Sequence, residues 1–279
     1  MQDRIVTSIT RNSYSETVPA NTPIQEVPGI DTVLNSHGYR SDEFSSKEAS
    51  DNYLFTGCSF TWGAGLPEGK SWSHILNRKL GGKKHFNLAM SGQSVSAIIS
   101  NVYKYIREFG KPKAIFVYFP NLERFERFHI NYEINDGIES GYLFQDPYLL
   151  HSVEWHKALG SDSDLKFINE TTLTDHFLLS RAVNDIKTFE EYLSMMGIPL
   201  VWSGWDFDFI EKMRRFSCFN NYVEHNLIAD EYRRNLTPEN SEDEKYWFTA
   251  ADEGGHPGIA ENHLFADTIY KAFAEKFGA

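Results

Sequence analysis

The chain is short of cysteine, of positive charge and of long apolar runs, and each shortage narrows what it can be. Two cysteines in 279 residues, Cys58 and Cys218, allow at most one disulfide and form no C-x-x-C pair of the kind that holds a metal or a redox couple. Lys plus Arg number 27 against 39 Asp plus Glu, a formal net charge of -12. That field repels a phosphate backbone, so nucleic acid is not an expected partner. No run of about 18 apolar residues is present to span a bilayer, and the polar N-terminus lacks the apolar core of a secretory signal. The expectation is a soluble chain with no transmembrane segment, its compartment left open. No H-E-x-x-H spacing occurs, and Gly63, Gly65 and Gly69 miss the G-x-G-x-x-G dinucleotide loop by one residue.

What the chain does have is enough apolar material for one full core. Hydrophobic residues make up 41%, and the length suits a single elaborated domain. Aromatic residues reach 15%, which supplies a bulky core first and sugar-stacking surfaces second.

Residues 1–50, rich in Ser, Thr, Asn and Pro without a sustained period, read as an extended arm, with the regular domain running from 51 to 279. Tyr53 to Gly57 is a short apolar strand. Ser71 to Leu80 is a helix closed by Gly81-Gly82, and a strand follows at His85 to Leu88. Val95, Ile98, Ile99, Val102, Ile106 and Phe109 form one apolar helix stripe that stops at Gly110, and Ala114 to Phe119 is the continuous apolar run of a buried parallel strand. Leu179, Ala182, Ile186, Phe189, Leu193 and Met196 mark another helix before a strand at Ile198 to Trp202. Phe265, Ile269, Phe273 and Phe277 mark the last helix. Strands alternating with helices predict a three-layer α/β/α sandwich on a mostly parallel sheet. Two long insertions, at about 122–176 and 205–247, interrupt the pattern as candidates for a substrate-covering cap.

The chemistry centres on Ser59, which follows the first sheet strand directly, where ligand crevices of parallel sheets lie. A serine needs a base held within about 3 Å and an acceptor to orient that base. Asp252-Glu253-Gly254-Gly255-His256-Pro257 supplies both, with His256 as base and Glu253 preferred over Asp252 as the orienting acid. Cys58 competes poorly with Ser59 as nucleophile, because adjacent residues leaving a strand point oppositely. His263 and Glu261 near His256 lack metal-ligand spacing, and no metal is expected. Thr61 stands where the Gly-x-Ser-x-Gly elbow of α/β-hydrolases needs its last glycine. Trp62 and Trp205 are candidates for the substrate pocket, whereas Trp72 lies on a core-facing helix stripe.

These residues resemble the SGNH (GDSL-like) hydrolase family, whose four blocks occur in order. Gly57-Cys58-Ser59 is similar to the Gly-Asp-Ser block, Asn87 to Gly92 to the glycine block, Pro120-Asn121-Leu122 to the asparagine block and Glu253 to Pro257 to the acid-x-x-His-Pro block. Cys58 replaces the usual Asp, Phe119 the glycine two residues before Asn121, and Glu253 stands where the family generally has Asp. The resemblance implies the family's flavodoxin-like, five-stranded parallel sheet and an oxyanion hole made by the Ser59 and Gly92 backbone N–H groups and the Asn121 side chain. It also implies ester hydrolysis without a cofactor. The expected substrate is a small acyl ester or an O-acylated, O-acetyl-bearing glycan or other polar carrier. The rival reading is a catalytically silent binding or structural module, docked to a larger assembly through the N-terminal arm.

Overall fold

The computed structural model describes residues 23–27, 30–120, 125–135, 138–150, 175–204, 215, 219–223, 244–248 and 256–278. At its centre is a parallel sheet of four strands: β3 (Leu54–Gly57), β4 (Phe86–Asn87), β5 (Ile115–Phe119) and β8 (Leu200–Gly204), in the spatial order β4-β3-β5-β8. Leu54 pairs with Phe86 on one side and Ile115 on the other, and Ile115 in turn with Leu200. Beyond β8, Tyr222 makes a single parallel bridge to Trp202, fixed by Trp202 N–H donating to Asn221 O at 3.1 Å and Val223 N–H to Trp202 O at 2.9 Å. The sheet strands therefore follow the doubly wound order 2-1-3-4, and the bridge adds a rudimentary fifth position at the expected edge.

Every residue of β3, β5 and β8 is buried because helices cover both faces. On one face α3 (Val95–Phe109) and α4 (Asp175–Met195) pack Ile98, Val102, Ile186 and Phe189, all 0% exposed, against Leu54, Val117 and Trp202. On the other, α2 (Trp72–Lys79) and α5 (Ile259–Phe277) pack Trp72, Leu76, Phe265 and Phe273 against Phe55, Phe116 and Val201. Alternation along β5 decides the partition: Ile115, Val117 and Phe119 face one helix pair, Phe116 and Tyr118 the other. Each large side chain so buried contributes about 1.5–3 kcal/mol. Ser94 caps α3 by accepting the Ala97 N–H at 3.2 Å, and Gly110 ends it at φ 98°.

β8 begins two residues later than its apolar run, since Pro199 has no N–H to give the ladder and contributes only its carbonyl, to Ile115 N–H at 2.9 Å. The insertion near 122–176 carries structure of its own, an antiparallel hairpin of β6 (Phe125–Asn135) and β7 (Ile138–Leu150). Among the described residues no helix is long and apolar enough to cross a membrane.

The largest difference from the sequence expectation lies before residue 51. β1 (Pro23–Val27) and β2 (Ile30–Val33) pair antiparallel, and the chain after them is packed in rather than free. Asn35 Oδ1 accepts the N–H groups of His37 and Tyr39, both at 3.0 Å, making a local turn that throws Tyr39 (0% exposed) and Phe44 into the core against Phe86 and Tyr105. Single hydrophobic residues spaced irregularly in a polar stretch carry no period, which is why this segment read as an arm.

Candidate active site

The end of β3 and the start of the next helix present Ser59. Gly57 is needed there for space: a Cβ on it would lie 2.6 Å from the Tyr118 carbonyl oxygen and would also strike the Thr61 side chain. Cys58 is the extended N-cap, and Ser59 opens the one-turn helix α1 (Ser59–Trp62), which ends at Gly63 in the left-handed region, φ 82°. The first N–H groups of a helix have no intrahelical acceptor, so the Ser59 amide is free of the ladder that α1 forms behind it. α1 is fixed from below through Thr61, 0% exposed, whose Oγ1 accepts from Trp72 Nε1 at 3.2 Å and whose carbonyl accepts from Asn87 Nδ2 at 3.1 Å.

His256 arrives from the other end of the chain, just ahead of α5. Its Nε2 lies 2.7 Å from Ser59 Oγ, a contact between residues 197 positions apart. The Phe60 ring packs against the imidazole, centroids 5.1 Å apart. Ser59 is only 7% exposed, so the hydrogen bond sits in a poorly hydrated setting where it is worth more than in water.

Asn262 holds the loop that follows His256, and the sequence reading missed it. It is 3% exposed in the first turn of α5. Its Nδ2 donates to Gly258 O at 2.9 Å and Pro257 O at 3.2 Å, while its Oδ1 accepts the Trp72 N–H at 2.8 Å. One amide thus ties the His256-Pro257-Gly258 loop to the N-terminus of α2. The available signal was a lone polar residue inside the buried stripe of the last helix. Asn262 and Glu261, together with the apolar side chains of Phe60, Trp72, Tyr118, Pro257 and Phe265, line a small cleft. Burial, followed by the neighbouring Cys58, pushes the Tyr118 phenol far above its ordinary range, so it stays neutral.

Gly92 adopts φ 86° in the turn closed by Gln93 N–H donating to Met90 O at 3.4 Å, on the loop after β4. Ala89 of the same loop packs with Trp62 and Leu34, which sets the loop from Leu88 to Gly92 beside α1. Trp62 is 2% exposed in that packing and holds the loop from inside, presenting no open stacking face for a sugar. Cys58 is fully buried and in no disulfide among the described residues. Asn121, Asp252, Glu253 and Trp205 lie outside the described residues, as does Cys218. Among the described residues no group of three or more His, Cys, Asp or Glu side chains is placed to hold a metal ion.

No family model and no curated protein matches this chain. It does resemble a solved structure. The crystal structure of TesA is 9% identical, with a TM-score of 0.44, over 80% of this chain and 98% of that one. A likeness of that degree leaves the chemistry to be read from the residues themselves.

Proposed function

We propose that the chain is a serine ester hydrolase of the SGNH kind, with Ser59 as nucleophile and His256 as general base. The observation that carries the reading is the 2.7 Å contact between His256 Nε2 and Ser59 Oγ at the carboxyl end of a central parallel strand. In the proposed reaction Ser59 Oγ attacks the ester carbonyl carbon while its proton passes to His256 Nε2. The C–O bond to the alcohol then breaks, and the alcohol leaves with that proton. Water, deprotonated by His256, attacks the acyl-serine and releases the acid and free Ser59. The oxyanion is assigned to the Ser59 and Gly92 N–H groups and the Asn121 amide, each such donor being worth on the order of 10²- to 10³-fold in rate. Glu253, with Asp252 as its competitor, is assigned to orient His256. The proposed substrate is a small acyl ester on a polar carrier such as an O-acetylated glycan.

The test is p-nitrophenyl acetate hydrolysis by wild type and Ser59→Ala, with both proteins verified as folded by circular dichroism. Loss of a nucleophilic serine should lower kcat by on the order of 10³-fold or more. Equal rates in the two proteins would remove Ser59 from the mechanism. Acetate release from O-acetylated glycans, compared with cleavage of long-chain acyl esters, then tests the substrate class, and exclusive long-chain activity would overturn it.

A further inference from the structure

The loop leaving the nucleophile helix is gripped by a side chain from the segment that looked like an arm. Arg40 is 3% exposed, and its Nη1 donates to Gly63 O at 2.7 Å and more weakly to Trp62 O at 3.4 Å. Its Nη2 donates to Leu66 O at 2.9 Å, and its Nε to Glu68 Oε2 at 3.0 Å. A helix of four residues has almost no stability of its own, because its nucleation cost is not repaid by propagation. Its last carbonyls also need donors from elsewhere. Arg40 supplies a donor to the last of them, Trp62 O, and to the carbonyl of the capping Gly63, together with a positive charge at the end of the helix where the backbone dipole favours one.

The link to Ser59 is one residue long. Gly63 and Ala64 donate their N–H groups to the Ser59 carbonyl at 2.9 and 3.1 Å, while the Gly63 carbonyl is the one Arg40 holds most closely. The fit is tight on that side too, since a Cβ on Gly63 would lie 2.9 Å from Ser71 Cβ and 3.3 Å from Arg40 Nη1. Glu68 in turn is anchored by His74 Nε2 at 2.8 Å, so the guanidinium is braced along its edge. The same N-terminal segment reaches the histidine side of the site: Ile30 packs with Ile259 and Ala260 at the start of α5.

Resting on the reading of Ser59 as nucleophile, we propose that Arg40 is a positioning residue for the catalytic serine, which makes the segment from Ile30 to Phe44 part of the catalytic apparatus. Only a planar fork with several donors can span three carbonyls at once, so lysine is an incomplete substitute.

Three variants, Arg40→Lys, Arg40→Met and Glu68→Ala, test this in the full chain. The readouts are the rate of fluorophosphonate labelling of Ser59, kcat and KM for p-nitrophenyl acetate, the pH profile, and the melting temperature. Misplacing a nucleophile by a fraction of an ångström costs about tenfold in rate. Arg40→Lys is therefore expected to lose about that much in kcat and in labelling rate, with KM and the shape of the pH profile kept, and Arg40→Met more. Should the Arg40 variants fail to fold, Glu68→Ala decides, because its side chain is 55% exposed and its removal takes away the partner of Arg40 Nε and of His74 while leaving the three carbonyl bonds of Arg40 in place. It is expected to slow labelling about threefold, by analogy with partial loss of orientation. Wild-type labelling and kcat in a folded Arg40→Lys, or in Glu68→Ala when that variant decides, overturn the role of Arg40 alone. Absence of labelling in wild type overturns the nucleophile reading and the role of Arg40 with it.

Discussion

Gly57→Ala is the most informative small change near Ser59, because it adds one methyl group where the fold has no room. The new Cβ would sit 2.6 Å from the Tyr118 carbonyl oxygen, well inside normal contact, and against Thr61 as well. Thr61 cannot turn away freely, since its Oγ1 accepts the Trp72 indole N–H. The Tyr118 carbonyl belongs to the main chain of β5, which pairs with β3 on one side and β8 on the other, so relief requires the strands to part. Overpacking of this type costs about 1–3 kcal/mol. The restricted unfolded chain returns at most about 0.4–1 kcal/mol. The net expectation is a loss of about 1–2 kcal/mol, or roughly 2–8 °C in melting temperature for a chain of this size. Ser59 is two residues away, so the same displacement should slow its fluorophosphonate labelling about tenfold. Thermal unfolding followed by circular dichroism and a labelling time course measure both quantities. Combining Gly57→Ala with Thr61→Ala should restore neither, because the main-chain contact remains. A melting temperature within 1 °C of wild type, or an unaltered labelling rate, would refute this account of why glycine precedes the serine.

Two further predictions concern buried charge. Burial first, and then the neighbouring His74, Arg40 and Arg78, hold the His85 imidazole well below its usual range, so it is neutral in the fold and takes up a proton on unfolding below about pH 6.5. Stability from this source is complete above that pH and is lost as the pH falls, with a limiting slope of about 1.4 kcal/mol per unit. Urea midpoints measured from pH 7.5 to 5 should show a flatter decline in His85→Gln, and an identical decline would assign the acid sensitivity elsewhere. Glu190, 5% exposed, accepts from Trp202 Nε1 at 2.8 Å and from the Asn221 N–H at 2.9 Å, pinning the rudimentary fifth strand to the sheet. Glu190→Leu should cost about 2–4 kcal/mol in urea unfolding, because both donors lose their acceptor in the interior; a loss below about 0.5 kcal/mol would show that water replaces the carboxylate.

Much of this protein was legible from residue order alone. The α3 stripe from Val95 to Phe109, the apolar run of β5 and the spacing by four of Phe265, Ile269, Phe273 and Phe277 in α5 each gave the right element, because burial on one helix face or both sheet faces imposes a period on the residues that do it. The pairing of Ser59 with His256 could be anticipated from residue types and a family resemblance, since a serine nucleophile requires a base and the block from Glu253 to Pro257 offers one. Other parts of the site left no such trace. Tyr39 and Phe44 fill the core from a stretch without period, Arg40 holds carbonyls 22 to 26 residues ahead of it, and Asn262 joins two helix ends 190 residues apart.

The physical reason for the division is the range of the interactions. Periodicity records what one element does against a featureless apolar environment, and so local sequence determined the strands of the central sheet, the helices that cover it and their order. Hydrogen bonds to main-chain carbonyls record where another segment passes, and any residue type can offer a carbonyl. Only the tertiary structure decided that Ser59 and His256 meet at 2.7 Å, that Trp62 is internal packing, and that an arginine from the N-terminal segment closes the loop behind Ser59.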